Sequence, residues 1–135
     1  MCMLYEIEIH TNREFEIIDI TSEIQKIVKE SKVQEGIAIV FTKHTTTALI
    51  VNENERRLLS DIELLLESIA PKGKGYRHDK IDNNAHSHLR AILLNPSVTI
   101  PIKDGKVELG TWQSILFVEL DGPRFRKVIV KLCSC

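Results

Sequence analysis

Five histidines occur in the 135 residues, and four of them, His44, His78, His86 and His88, fall within one third of the chain. Neutral imidazole is the commonest protein ligand for a metal ion, and three such ligands around one open position form the usual catalytic zinc site. His44 follows a run of β-branched and aromatic residues, His78 lies in a polar glycine-containing stretch, and His86 and His88 lie in a segment with helical spacing. On one helix, positions 86 and 88 stand about 200° apart, so both cannot face the same ion. The apolar stripe expected for that helix is Ala85, Leu89, Ile92 and Leu93. Both histidines border it, on opposite sides, and periodicity does not choose between them. Asp79, Asp82, Asn83 and Asn84 interleave with the histidines and offer acids and amides to a shared site.

Other residues could handle anions. The hydroxyls of Thr45, Thr46 and Thr47 could bond phosphate or carboxylate oxygens, although the same residue types also continue a strand. Lys72, Lys74 and Arg77 flank two glycines, which suits an anionic substrate and equally a solvated basic loop. The glycine spacing and Lys-Ser/Thr ending of a P-loop are absent. Arg124 closes the turn Asp121-Gly122-Pro123-Arg124 and could clamp a phosphate with two guanidinium nitrogens. Trp112, the single tryptophan, sits between two strand-like segments, a place more suited to packing than to a substrate platform.

The elements that must position these groups are legible from periodicity. Residues 4–10 and 15–20 alternate with period two around a polar turn and predict a hairpin. Ser22 and Gln25 have capping-box spacing ahead of Ile24, Ile27 and Val28, which predicts a short helix. Gly36–Phe41 is a continuous apolar run that predicts a strand buried on both faces. A further strand, 48–51, leads into Asn52 and Glu55, again at capping-box spacing. The helix after them carries Leu58, Leu59, Ile62, Leu65, Leu66 and Ile69 on one stripe. Residues 71–84 predict a functional loop, 84–94 a third helix stopped by Asn95-Pro96, and 97–102, 107–109, 114–121 and 125–132 strands, with an Asp104-Gly105 hairpin signal between the first two. Strands first, helices in the middle and strands last define an α+β fold, a mixed or largely antiparallel sheet with three helices.

Composition bounds the partners. A chain of 135 residues with 43% hydrophobic and 27% charged residues is a single domain spanning 1–135. Eighteen basic against nineteen acidic residues give a net charge of -1, too little positive charge for general nucleic-acid binding. No apolar run approaches the ~20 residues needed to cross a bilayer, and residues 1–10 lack a signal core, so a cytoplasmic location without membrane contact is expected. Cys2, Cys133 and Cys135, odd in number and at the chain ends, are expected as frayed free thiols.

Taken in order, His44-Thr45-Thr46, Asn52-Glu53, Tyr76-Arg77-His78, Asn84-Ala85, His88-Leu89, Leu109-Gly110-Thr111-Trp112-Gln113 and Glu119-Leu120-Asp121-Gly122-Pro123-Arg124 resemble the YjbQ family, also called the secondary thiamine-phosphate synthase family. The resemblance runs from about residue 4 to 132. It implies a homotrimer of compact α+β subunits and a divalent metal, zinc with Mg²⁺ as the alternative. The implied ligands are His44, His78 and His88, because the family's histidines match those positions, and His86 is then left on the rim. The implied activity joins an aminopyrimidine pyrophosphate to a thiazole phosphate. Thr45, Thr46 and Arg124 would contact phosphate, and Asp82 and Asn84 would act beside the metal or on the substrate. Two alternatives accompany it: a zinc-dependent hydrolase of a phosphate ester or other small anion, and a non-catalytic metal- or metabolite-binding trimer.

Overall fold

The computed structural model describes residues 1–135. Its elements are β1 (Cys2–His10), β2 (Glu16–Asp19), α1 (Thr21–Ser31), β3 (Gly36–Thr42), β4 (Thr47–Asn52), α2 (Arg56–Ile69), α3 (Asp79–Asp82), α4 (Ala85–Leu93), β5 (Ser97–Lys103), β6 (Lys106–Val107), β7 (Ser114–Glu119) and β8 (Phe125–Ser134). The strands form a five-stranded sheet, β1-β8-β3-β5-β6, and a three-stranded sheet, β2-β7-β4. Every pairing is antiparallel. The expected α+β class therefore holds, with the short α3 added to the three expected helices.

Between the sheets lies the main core, where Ile7 and Ile9 of β1, Val40 of β3, Leu49 of β4, Phe117 of β7 and Val130 of β8 pack with Ile24 and Val28 of α1. The opposite face of the small sheet forms a second core, in which Ala48, Val118 and Leu120 meet Leu66 of α2, with Ala91 and Leu94 against them. β7 is thus buried on both faces, which its unbroken run Ile115–Val118 suits.

Residues 4–20 do not form the expected hairpin. β1 pairs with β8, and β2 pairs with β7 in the other sheet. The chain crosses between sheets at Thr11, whose N–H donates to Arg124 O and whose hydroxyl donates to Glu119 Oε1 at 2.7 Å. The two capping boxes also resolve differently. Asp19 Oδ1 accepts from Thr21 at the start of α1, while Gln25 turns to the β5–β6 turn, bonding Gly105 O and Val107 N. Glu55 itself caps α2, its carboxylate accepting from Arg57 N and Leu58 N.

The terminal cysteines are not frayed. Cys2 and Cys133 are direct cross-strand partners of β1 and β8 and form a disulfide, and only Cys135 is free. β3 runs so close to β8 that a side chain at Gly36 would overlap Cys133 O. β3 itself is covered on both faces only in part, since Phe41 is exposed. No helix is long and apolar enough to cross a membrane.

The largest departure from the periodicity reading is α4. Its stripe was expected to pack Leu89, Ile92 and Leu93 inward, yet Ile92 is 77% and Leu93 54% exposed, and Leu89 is exposed as well. Ala85, His86, Ser87 and Arg90 are the buried residues instead. Ser87 donates to Leu120 O at 2.6 Å, and Arg90 Nε donates to Ala70 O at 3.0 Å, so hydrogen bonds rather than leucines dock this helix. His86 is therefore not on a rim but buried. On α2, Leu66 is buried while Leu65 and Ile69 are exposed.

Candidate functional site

The connection between β3 and β4 is held by its own hydroxyls. Thr42 and Thr47 share a hydrogen bond of 2.8 Å between their Oγ1 atoms, His44 N donates to Thr42 Oγ1, and Thr47 Oγ1 donates to His44 O. Side chain to backbone bonds of this kind fix a tight turn where strand pairing ends. Beneath the turn is a buried ion pair. Arg126 meets Glu119 through Nη2 to Oε2 at 2.6 Å and Nε to Oε1 at 2.9 Å, and its Nη2 also reaches Thr46 Oγ1 at 2.8 Å. Thr11 Oγ1 and Asp121 N donate the remaining bonds to the Glu119 carboxylate. Burial pushes that carboxyl up, but the bonds from Arg126, Thr11 and Asp121 outweigh it and hold the pKa below the ordinary value.

His44 stands on this base. Its Nε2 accepts the Lys127 N–H at 3.0 Å, so in the neutral ring the proton resides on Nδ1. Burial lowers its pKa, and the nearby Arg126 cation lowers it further. His44 and Thr45 line a cavity of about 500 Å³ whose opposite wall is α4, through His88, Ala91 and Ile92. His78, preceding α3, packs its ring edge-on against His88 at 4.8 Å between centroids. Its Nε2 is buried and has no hydrogen-bond partner.

The expected site residues are thus only partly gathered. His78 and His88 touch, and His44 shares a cavity with His88, but no three His, Cys, Asp or Glu side chains converge as a metal-ligand set. Thr45 is exposed at the cavity, whereas Thr46 is buried and bonded to Arg126. Asn84 Nδ2 donates to Asp121 Oδ2 at 2.9 Å and leaves its own Oδ1 buried without a partner. Arg124 binds Asp121 through Nε and Nη2 and remains half exposed. Asp82, at the end of α3, is exposed and makes no side-chain hydrogen bond. Its neighbour Asp79 has a structural task, its Oδ1 accepting Ala85 N at the start of α4.

Three residues escaped the sequence reading as site components: Thr11, Glu119 and Arg126. Arg126 was signalled by alternation, since it shares the inward face of β8 with Val128, Val130 and Leu132. Glu119 likewise interrupts a wholly buried apolar run in β7. Gly122 completes this corner, because a Cβ there would overlap Arg13 O and crowd Glu119 and Thr11.

Two antiparallel sheets with a few short helices place the chain among small α+β proteins. Residues 5–135 match the model of the family described as UPF0047 protein YjbQ-like, and the chain belongs to that family. A UPF0047 protein of Archaeoglobus fulgidus is 52% identical over 126 residues, covering 93% of this chain and 98% of its own length. The crystal structure of a YbjQ-like protein of unknown function from Sulfolobus solfataricus P2 superposes with a TM-score of 0.97 at 38% identity, over 100% of this chain and 99% of that one. An uncharacterised YjbQ/UPF0047 protein from Clostridium acetobutylicum, 42% identical, superposes at 0.92 over 96% and 99%.

Proposed function

We propose that this chain is a homotrimeric transferase of the secondary thiamine-phosphate synthase kind, acting in the cytoplasm on small phosphorylated substrates at the cleft between the β3–β4 turn and α4. The observation that carries the reading is His78 Nε2, a buried ring nitrogen with no protein partner, on a ring packed against His88 beside the His44 cavity. Buried polar atoms are rarely left unpaired, and this one is free to take a partner from outside the chain. Asn84 Oδ1 is a second such atom.

In the reaction the thiazole nitrogen attacks the pyrimidine methylene carbon, the carbon–oxygen bond to diphosphate breaks, and diphosphate leaves with the electron pair. This chain's part is to bind and orient two anions and to stabilise the charge gathering on the leaving group. The donors suited to that are the Nδ1–H of His44, the Thr45 hydroxyl and the guanidinium of Arg124 once a phosphate competes for it with Asp121. Asn84 would orient substrate, and Asp82, exposed at the end of α3, would act only from outside the cavity lining.

The histidines as seated do not fit a preformed three-imidazole zinc centre, because the Lys127 N–H uses the Nε2 lone pair of His44. A divalent ion, zinc before Mg²⁺ for imidazole donors, would have His78 and His88 as its available holders and would supply charge stabilisation to a leaving anion.

The trimer is part of the proposal. A compact monomer of 15.4 kDa exposes about 7,200 Å². This chain exposes 8087 Å², and Ile69, Leu89, Ile92 and Leu93 line an open groove of about 520 Å³. An exposed apolar patch of that kind supports an interface between chains.

A second reading, a non-catalytic metabolite-binding trimer, is favoured by the engagement of Thr46, Asn84 and Arg124 with protein partners. The two separate in one assay. Purified protein incubated with the aminopyrimidine pyrophosphate and thiazole phosphate should form thiamine phosphate, and His78→Ala and His88→Ala should each lower the rate by about 10–100-fold. No product above background from the wild type rejects the transferase, and release of phosphate from a generic ester, lost on chelation, would install the zinc hydrolase in its place.

A further inference from the structure

α4 carries a second polar face. His86 and Arg90, one turn apart, lie on the side opposite His88 and Ile92, because positions 86 and 88 stand about 200° apart. They line a separate cavity of about 640 Å³, within the range of about 300–1,000 Å³ common to small-molecule sites. No residue lining it lines the His44 cavity.

Arg90 is the decisive group. It is 6% exposed, its Nε is held by Ala70 O, and its guanidinium forms no ion pair. A buried cation without a counter-charge is costly, and a cavity beside it is the place for an anion. His86, 3% exposed, adds an Nδ1 with no hydrogen-bond partner, while its Nε2 stands 3.6 Å from Glu14 Oε1. Glu14 is already engaged by Lys72 at 3.1 Å.

The far wall has the opposite sign. Glu63 and Glu67, one turn apart on α2, line the same cavity, and neither forms an ion pair. With Arg13, Lys72 and Arg90 against Glu14, Glu63 and Glu67, the fixed charges balance. A dianion such as phosphate would meet two free carboxylates, and a simple cation would meet Arg90. We propose that this cavity binds a small zwitterion, an α-amino acid or an ammonium carboxylate of similar spacing, with its carboxylate on Arg90 and its ammonium toward Glu63 and Glu67. The proposal does not depend on the transferase reading, since it uses the other face of the helix.

Isothermal titration of the full chain tests it, with L-alanine, L-glutamine and L-lysine as zwitterionic probes and acetate, methylamine and inorganic phosphate as partial ones. At least one zwitterion should saturate one site per chain and bind at least about tenfold more tightly than any partial probe, the step that one added ionic contact supplies. Glu67→Gln and Glu63→Gln should each weaken that zwitterion by about tenfold and leave acetate unchanged, whereas Arg90→Lys should weaken both. Because Arg90 also holds Ala70 O, the glutamate variants keep the test valid if Arg90→Lys does not fold. Absence of saturable binding by every zwitterion at tens of millimolar overturns the proposal. So does phosphate binding more tightly than all three, or indifference of the zwitterion to both glutamate variants.

Discussion

Replacing Arg126 by methionine should damage this protein more than any surface change, because it leaves the Glu119 carboxylate buried without its counter-charge. Glu119 is fully buried and Arg126 nearly so, and two hydrogen bonds join them. Thr11 Oγ1 and Asp121 N would remain as the only donors to Glu119, and Thr46 Oγ1 would lose its partner. Breaking one side of a buried pair costs about 3–5 kcal/mol. For a chain of this length about 1 kcal/mol corresponds to about 3–5 °C, so Tm should fall by about 10–20 °C. The double variant Glu119→Gln/Arg126→Met removes the stranded charge and should be less destabilised than the sum of the single variants by at least about 2 kcal/mol. Urea unfolding followed by circular dichroism supplies all four corners of the cycle. The pH dependence gives an independent reading: Glu119 has a folded pKa below its ordinary 4.5, so its stabilisation is complete above that value and is lost as pH falls through the folded pKa. Glu119→Gln should flatten that acid limb. A loss below about 1 kcal/mol for Arg126→Met, or strict additivity, would refute the view that this pair is the base of the site.

Three further outcomes follow from other parts of the molecule. His44 should titrate below 6.5 and carry its proton on Nδ1, so its stabilising effect is present above about pH 6.5 and lost as pH falls; long-range ¹H–¹⁵N spectra check both, and an Nε2–H tautomer contradicts the Lys127 bond. Cys2→Ser should lower stability by about 5 kcal/mol in the loop-entropy estimate, since the bridge spans 131 residues; equal urea midpoints with and without reductant would show that the bond is not formed in solution. Ile92→Asp should leave the fold intact and convert the proposed trimer to monomers in sedimentation, and an unchanged mass would remove α4 from the proposed interface.

Most elements were legible because strand alternation reports local burial, as the α2 stripe does in part through Leu66. Pairing was not. The alternation of residues 4–20 states that each segment has one inward face, but not that β1 joins β8 while β2 joins β7; that choice is made by partners distant in sequence, as at Thr11, whose hydroxyl meets Glu119 from 108 residues away. The cysteines were misread for the same reason, since only the β1–β8 register makes Cys2 and Cys133 neighbours. At the site, the contact of His78 with His88 joins a loop to a helix and was not readable from spacing, and the hydrogen bond that occupies His44 depends on where β8 leaves Lys127 N. α4 was inverted because periodicity identifies an apolar stripe without stating what covers it.

That inversion bears on what the functional unit must be. A helix of nine residues that buries a histidine, a serine and an arginine while exposing three large aliphatic side chains gains little from the hydrophobic effect in a lone chain. Beyond the small apolar contacts of Ala85 and Ala91, its docking rests on Ser87 to Leu120 O and Arg90 to Ala70 O, two hydrogen bonds each worth only about 0.5–1.5 kcal/mol net, or somewhat more for the charged donor. The aliphatic face reaches its best free energy only against another apolar surface, and the proposed trimer supplies one. His88 and Ile92 line the same cavity, so covering Ile92 in an interface would also narrow the cleft beside His44. Assembly and site geometry are then coupled through one helix. A monomer made by Leu93→Asp, which lines the apolar groove but not the cavity, should accordingly lose affinity for a phosphorylated substrate even though no cavity residue has been changed.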